Sequence, residues 1–418
     1  MDQHAMTAND RERPLGRYQQ KLPTLFLIWI VLSAISPHPD LFKGWFHLAM
    51  SIPLLVLMTM GRLRIDTTDA LLRVCAGLLL YTTVGSLIIS DADWSLHLHA
   101  LRWSFETLLL ILVLFLALPP LLKNPLFLGR FLLTCVILGG LSALIIFGVF
   151  QDFSGRLSGI GALYQPIEGV SVLIVYLSIG AFLLWQERHK LTVKDQTLLF
   201  SALILTCACT LLSGSRGPTL ALALIVGYCL LVGAIAHRHW KILLITTACL
   251  IIALGCVLWL YGLNDFIELM VERGTSYRLL LWTAHLQYPP ESLLFGHGAA
   301  TDLETTTAGL KIYKEAGIGT AQPHNLFIGT FAQTGLVGLA LLLLLLGTIL
   351  RAIYTANSTP TAKWYMLGIF GVVMMLVATN TYTLIISVKT IWLYTWFPLI
   401  FLWLWSQQTH QPQTDVPE

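Results

Sequence analysis

Apolar runs about as long as a bilayer is thick recur along this chain, separated by short polar connections, and they leave few folds open. A helix needs about 20 predominantly apolar residues to cross a membrane, because each main-chain polar group must be satisfied within the segment. Twelve stretches meet or approach that length: 22–36, 44–60, 69–89, 101–122, 131–150, 167–185, 197–213, 219–236, 242–262, 326–350, 364–385 and 388–406. The first two are short and the last boundary is loose, so eleven spans also fit. Of the 418 residues 56% are hydrophobic and 11% charged, with mean hydropathy +0.74, whereas globular chains carry about 25% charged residues. The expected fold class is an all-α polytopic membrane protein.

Lys and Arg gather at every second connection, in "GRLRID" (61–66), "KNPLFLGR" (123–130), "QERHKLTVK" (186–194), "HRHWK" (237–241) and 351–363. Loops rich in these residues stay cytoplasmic. With Arg11, Arg13, Arg17 and Lys21 before the first run, both termini are expected inside, behind an uncleaved signal-anchor. The alternate connections then face outward. One of them, 263–325, is roughly 60 residues long, and long loops in compact architectures are usually functional. The chain divides accordingly into a membrane region, 1–262, an outward loop, 263–325, a second group of spans, 326–406, and a cytoplasmic tail, 407–418. The net charge of +3 and the scatter of basic residues exclude a nucleic-acid footprint. The seven cysteines lie in or beside apolar runs without metal-type spacing and read as small buried residues.

Inside the long loop, Ser276 is placed to cap a helix over 277–287, which Pro289 and Pro290 stop. On that helix Arg278, Trp282 and His285 share a face, with Tyr277 at its start. "LFGHGAATD" (294–302) reads as turn. Four outward arginines then need a local reason, since positive charge is depleted on that side. Arg216 lies in "SGSRGP", a tight turn that requires no arginine, at the depth where a lipid-linked phosphate lies; a guanidinium grips phosphate with a rigid fork of donors. Arg278 falls in the first turn of the loop helix, whose free N–H groups add to an anion site. Arg273 just upstream could complete a diphosphate clamp, and Arg156 in the 151–166 connection is a further candidate. The bland reading of each is a headgroup contact or a solvated charge.

"QPHNLFIGTFAQTGLVG" (322–338) places His324 immediately before Asn325, a good N-cap, at the outer end of a long apolar run. The positive end of that helix dipole disfavours imidazolium, and a neutral imidazole is what a general base requires. Gly329, Gly335 and Gly338 read as close helix packing. Other chemistries are weaker. Asp91 and Asp93 match a D-x-D spacing but lie at a span end, where a solvated boundary is the simpler reading. His97 and His99 alternate there as an interfacial segment without further metal ligands. Arg73 and Arg102, inside expected spans, either snorkel or line a cavity. No G-x-x-x-x-G-K-[ST] phosphate loop is present.

Taken in order, "SGSRGPTLALA", "ERGTSYRLLLWTAHLQYPPESLLFGHG" and "PHNLFIGTFAQTGLVGL" resemble the O-antigen ligase family, specifically over residues 213–340 and by topology elsewhere. That superfamily includes O-antigen ligases, O-antigen polymerases and protein O-oligosaccharyltransferases. The resemblance implies a GT-C-like glycosyltransferase of about twelve spans in the bacterial inner membrane, with its site facing the periplasm. It implies an undecaprenyl-diphosphate-linked O-antigen donor, a lipid A-core acceptor and surrounding membrane lipids as partners, with neither metal nor cofactor. It also implies that His324 is the catalytic base and that Arg216 and Arg278, with Arg273, bind the donor diphosphate; from the residues themselves, Arg156 is a further diphosphate candidate and Asn325, Trp282 and Tyr277 are supporting ones. A polymerase, a protein-glycosylating enzyme or, in another class, a lipid-linked oligosaccharide flippase are the alternatives to a ligase. The lack of an extra soluble region and the single large loop favour the ligase, and the clustering of ionisable residues at one face disfavours a transporter.

Overall fold

The computed structural model describes residues 8–61, 67–89, 94–151, 156–237, 277–299, 301–317 and 319–408. Every regular element among them is helical. The first, α1 (Ala8–Ile35), has an apolar portion limited to Gln20–Ile35. Then come α2 (Pro39–Trp45), a π-helical stretch (Phe46–Ser51) and α3 (Ile52–Thr59), which run on as one membrane-length unit. After these follow α4 (Ala70–Ile89), α5 (Trp94–Leu122), α6 (Pro125–Phe150), α7 (Pro166–Gln186), α8 (Val193–Leu212) and α9 (Arg216–His237). The long connection before the last group of helices contributes α10 (Arg278–Gln287) and α11 (Thr307–Ala316). The chain closes with α12 (Leu326–Thr355), α13 (Pro360–Asn380), the single turn α14 (Ile391–Tyr394) and α15 (Trp396–Gln407).

Eight of these helical stretches are long and apolar enough to cross a membrane among the described residues. The expected spans 22–36 and 219–236 are helical but with shorter apolar portions, and 242–262 lies outside the described residues, as do Asp91, Asp93, Arg273 and Ser276. The expected last span, 388–406, is not one helix. The chain leaves helical geometry after Asn380, runs irregularly through 381–390, and breaks again at Thr395 (φ −115°, ψ −80°) before α15. Such a stretch survives inside a bundle only where protein groups satisfy its main chain. Here the Glu106 carboxylate accepts from the Val388 N–H (3.2 Å), Trp396 Nε1 donates to the Leu384 carbonyl (2.8 Å), and Thr390 hydrogen-bonds the half-buried Glu168. Thus two acidic side chains, one on α5 and one on α7, hold an irregular segment.

At the centre lies α7, with 83% of its most apolar window buried. Gly180 lets α6 approach closely, since a Cβ there would lie 2.9 Å from Leu133. Largely buried α15 packs beside it, the Phe397 and Phe401 rings meeting Tyr176 and Phe182 edge-on. Around this core the outer helices turn Leu48, Ile88, Val149 and Phe150 outward, an apolar rim suited to lipid. Cys75, Cys135 and Cys209 are buried in the bundle, as their setting in apolar runs predicts. Of the two in-span arginines, Arg102 reaches Glu106 (2.7 Å) and Arg73 hydrogen-bonds back to the Thr68 carbonyl.

The connections expected on one side meet at one end of the bundle. Gly161 N–H donates to the Ser36 carbonyl (2.7 Å) and Leu157 N–H to Leu212 (3.1 Å). The loop is also stitched into α12. Gly335 has φ 63° and ψ −162°, which interrupts the helix; the freed main chain pairs with the 293–298 turn through Leu336 N to Leu293 O, Val337 N to Leu294 O, His297 N to Ala332 O and Gly298 N to Gln333 O, all 2.9–3.1 Å. Gly335 is therefore a backbone break rather than a packing residue. A Cβ there would lie 2.4 Å from the Leu294 carbonyl. Gly329 keeps the packing role, its Cβ position blocked by the Tyr382 carbonyl.

Candidate active site

Asn325 caps α12 as its position suggests: Oδ1 accepts the N–H groups of Phe327 (3.0 Å) and Ile328 (3.1 Å). His324 directly before it adopts φ 47°, one of two non-glycine residues with positive φ among those described; the other is Tyr277 (φ 57°), the N-cap of α10. Such geometry costs of order 1–3 kcal/mol and persists where the surroundings over-determine it. The surroundings do so here. Trp282 Nε1 donates to the Pro323 carbonyl (2.8 Å) and His285 Nε2 bonds the Ala321 carbonyl (2.7 Å). The shared face of α10 thus straps down the three residues preceding His324.

One turn earlier on that face, Arg278 Nη2 reaches Asn380 Oδ1 (3.5 Å) at the end of α13. Asn380 is buried, and its Nδ2 reaches Ser171 Oγ on α7 (3.4 Å). Its main-chain carbonyl hydrogen-bonds the His324 ring. Arg216, the first residue of α9, comes near enough for its charge to act on Arg278. Gly217 permits that approach: a Cβ there would lie 2.5 Å from Thr379 Oγ1 and 3.0 Å from Asn380 Oδ1. Four helices, α9, α10, α12 and α13, therefore bring Arg216, Arg278, His324 and Asn380 to one place.

Electrostatics matches the geometry. Burial, then the Arg278 charge, push His324 below the ordinary imidazole range, while the Asn380 carbonyl pulls weakly upward. The ring is neutral, in the direction that the helix dipole predicts, but desolvation and Arg278 are the leading causes. Arg278 is itself lowered by burial and by Arg216, yet an arginine keeps its charge at any physiological pH. Two cations held together beside a neutral imidazole can attract an anion next to a proton acceptor. Burial likewise lowers His285, against the pull of the Ala321 carbonyl.

Arg156 takes a different position from the other arginines. Its Nε donates to the Ser213 carbonyl (2.9 Å) and its Nη2 to Ser215 Oγ (3.2 Å), so it braces the turn from which Arg216 projects. Tyr277 turns an exposed side chain outward. Neither Asn380 nor Gly217 was singled out from sequence, although an asparagine in an otherwise apolar run carries a signal: intramembrane polar residues are functional candidates by default.

Residues 201–343 match the family model described as O-antigen ligase, a stretch that contains Arg216, Arg278 and His324 and excludes Asn380. The chain is also 26% identical over 260 residues to the O-antigen ligase of Pseudomonas aeruginosa. That alignment takes in 60% of this chain and 58% of the relative, so the chain spans less than two thirds of the relative's length. The arginines and the histidine thus fall inside the stretch, residues 201–343, over which this chain is similar to the O-antigen ligase family.

Proposed function

We propose that this protein is an inner-membrane glycosyltransferase that moves O-antigen from undecaprenyl diphosphate onto lipid A-core, with its site at the periplasmic face. The observation that carries this reading is the meeting of Arg216, Arg278 and a neutral His324 around Asn380. An acceptor sugar hydroxyl attacks the anomeric carbon of the donor glycan, the bond from that carbon to the diphosphate oxygen breaks, and one displacement inverts the centre. Charge gathers on the departing diphosphate, where the guanidiniums of Arg216 and Arg278 stabilise it in the role a divalent metal would otherwise fill. The Asn380 carbonyl occupies one ring N–H of His324, leaving the other nitrogen to take the hydroxyl proton. Arg156 positions Arg216 through the 213–215 turn, and Arg273 belongs to the same proposed clamp. Cleavage of the diphosphate linkage supplies the driving force.

A deletion strain examined by lipopolysaccharide gel tests the reading. Loss of the O-antigen ladder with intact core and accumulated lipid-linked polymer is expected. Core bearing a single repeat would instead identify a polymerase, and an unchanged gel with unglycosylated protein a protein-modifying enzyme. In purified protein, His324→Ala should abolish transfer, by about 10²–10⁴-fold for a lost general base. Arg216→Lys should also lose most activity, because a point charge lacks the bidentate fork; full transfer by either variant would refute its assigned role.

A further inference from the structure

Beside the candidate active site, between the outer end of α5 and the loop, lies a cavity of about 190 Å³ that the chemistry above does not use. Its neighbours are small by comparison, about 20 and 10 Å³, and the smaller of these shares Trp103, Ala299 and Gln333 with it, extending the same recess inward. Two kinds of group line the cavity. Trp103 presents a half-buried indole, against which the His99 ring lies nearly parallel (9°, centroids 6.1 Å apart). The same lining includes Asp302, Glu304, Gln322 and Gln333. An aromatic plane together with carboxylates and carboxamides is the combination that a sugar ring satisfies. The ring's apolar C–H face packs on the indole, while its hydroxyls donate to acceptors whose hydrogen bonds are strong because they are charged or conjugated. The two carboxylates disfavour a second diphosphate, and a lining with four polar side chains is a poor seat for a lipid tail.

The cavity is tied to the proposed reaction by the chain itself. Gln322 lies two residues before His324, and Tyr382, another lining residue, two residues after Asn380. The segments that hold the base therefore also wall the cavity.

We propose that this cavity is a glycan subsite that seats one sugar ring of a substrate on Trp103, with Gln322, Gln333, Asp302 and Glu304 binding its hydroxyls. This rests on the glycosyltransferase reading and adds where the carbohydrate, as opposed to the diphosphate, is held. The ring belongs either to the acceptor core or to the donor glycan, and kinetics separates the two.

The test uses full-length protein in lipid nanodiscs with a lipid-linked O-antigen donor and lipid A-core acceptor, varying each in turn. Trp103→Ala should raise the KM of one substrate at least about tenfold, the loss expected when a stacked ring loses its aromatic partner, while kcat stays within about twofold. Trp103→Phe should restore most of the binding. Gln322→Ala, which leaves the α5 packing intact, should raise the same KM and guards against a folding defect in the tryptophan variant. A change confined to the acceptor KM identifies the core sugar, and one confined to the donor KM the O-antigen. Unchanged KM values for both substrates in Trp103→Ala and Gln322→Ala would overturn the subsite even where His324→Ala abolishes transfer. Full transfer by His324→Ala would instead refute the underlying reading.

Discussion

At φ 47° the His324 main chain is held where a histidine rarely rests, and the hydrogen bonds from Trp282 and His285 to residues 323 and 321 keep it there. The imidazole starts from this fixed main chain and lies within reach of the Asn380 carbonyl and the Arg278 charge. A pH profile reads this directly. Because the His324 pKa is depressed, the base is neutral down to a pH below the ordinary 6.5, so the acid limb of kcat/KM should fall below that value. Arg278→Gln removes a charge that lowers this pKa, so the limb of the residual activity should move to higher pH. An unmoved limb would mean that Arg278 does not act on the base. Much of this residue-scale picture is legible in sequence: the 278, 282, 285 spacing gives the strap, and Asn325 gives the cap. Asn380 is not, because its partners Arg278 and Ser171 lie 102 and 209 positions away, and no local pattern reports a contact that long.

For whole elements, length and hydropathy locate most membrane helices well, since a bilayer demands a fixed number of apolar residues. They are blind to breaks inside an apolar run. The stretch around Gly335 reads as continuous helix, yet its main chain turns out and pairs with the 293–298 turn. Gly335→Ala should therefore cost at least about 1–3 kcal/mol from the left-handed backbone alone, with the clash against Leu294 adding to it. Thermal unfolding in detergent should show a lowered midpoint. Gly347, further along α12 with no atom near its Cβ position, is the control; the same change there should be tolerated and could stabilise the helix by up to about 1 kcal/mol. The 381–390 segment escapes detection for the same reason: Leu384, Ile385, Ile386 and Val388 are as apolar as any span, and only the side chains of distant helices reveal that it is irregular.

Across the whole molecule, the irregular segment links the candidate active site to the bundle core. Glu106 on α5 and Glu168 on α7 hold it, and Asn380 is its first anchor. Glu106→Ala leaves the buried Val388 N–H without its acceptor and frees Arg102, a loss of about 1–3 kcal/mol. The expected result is a lower unfolding midpoint together with reduced transfer, although Glu106 itself has no role in the chemistry. Glu106→Gln keeps an acceptor oxygen and should recover most of the stability; if it is as damaging as alanine, the charge matters more than the hydrogen bond. Bundle and site are thus specified by the same few polar side chains placed among apolar ones.

The four main-chain hydrogen bonds that join residues 293–298 to the interrupted α12 also constrain traffic. A turn riveted in this way to a helix does not lift without breaking four main-chain pairs at once. On the proposed reaction, lipid-linked substrates then come and go sideways, from within the plane of the bilayer. The amides of His297, Gly298, Leu336 and Val337 should accordingly be among the slowest of the loop region to exchange with deuterium, and should remain so through every step of turnover.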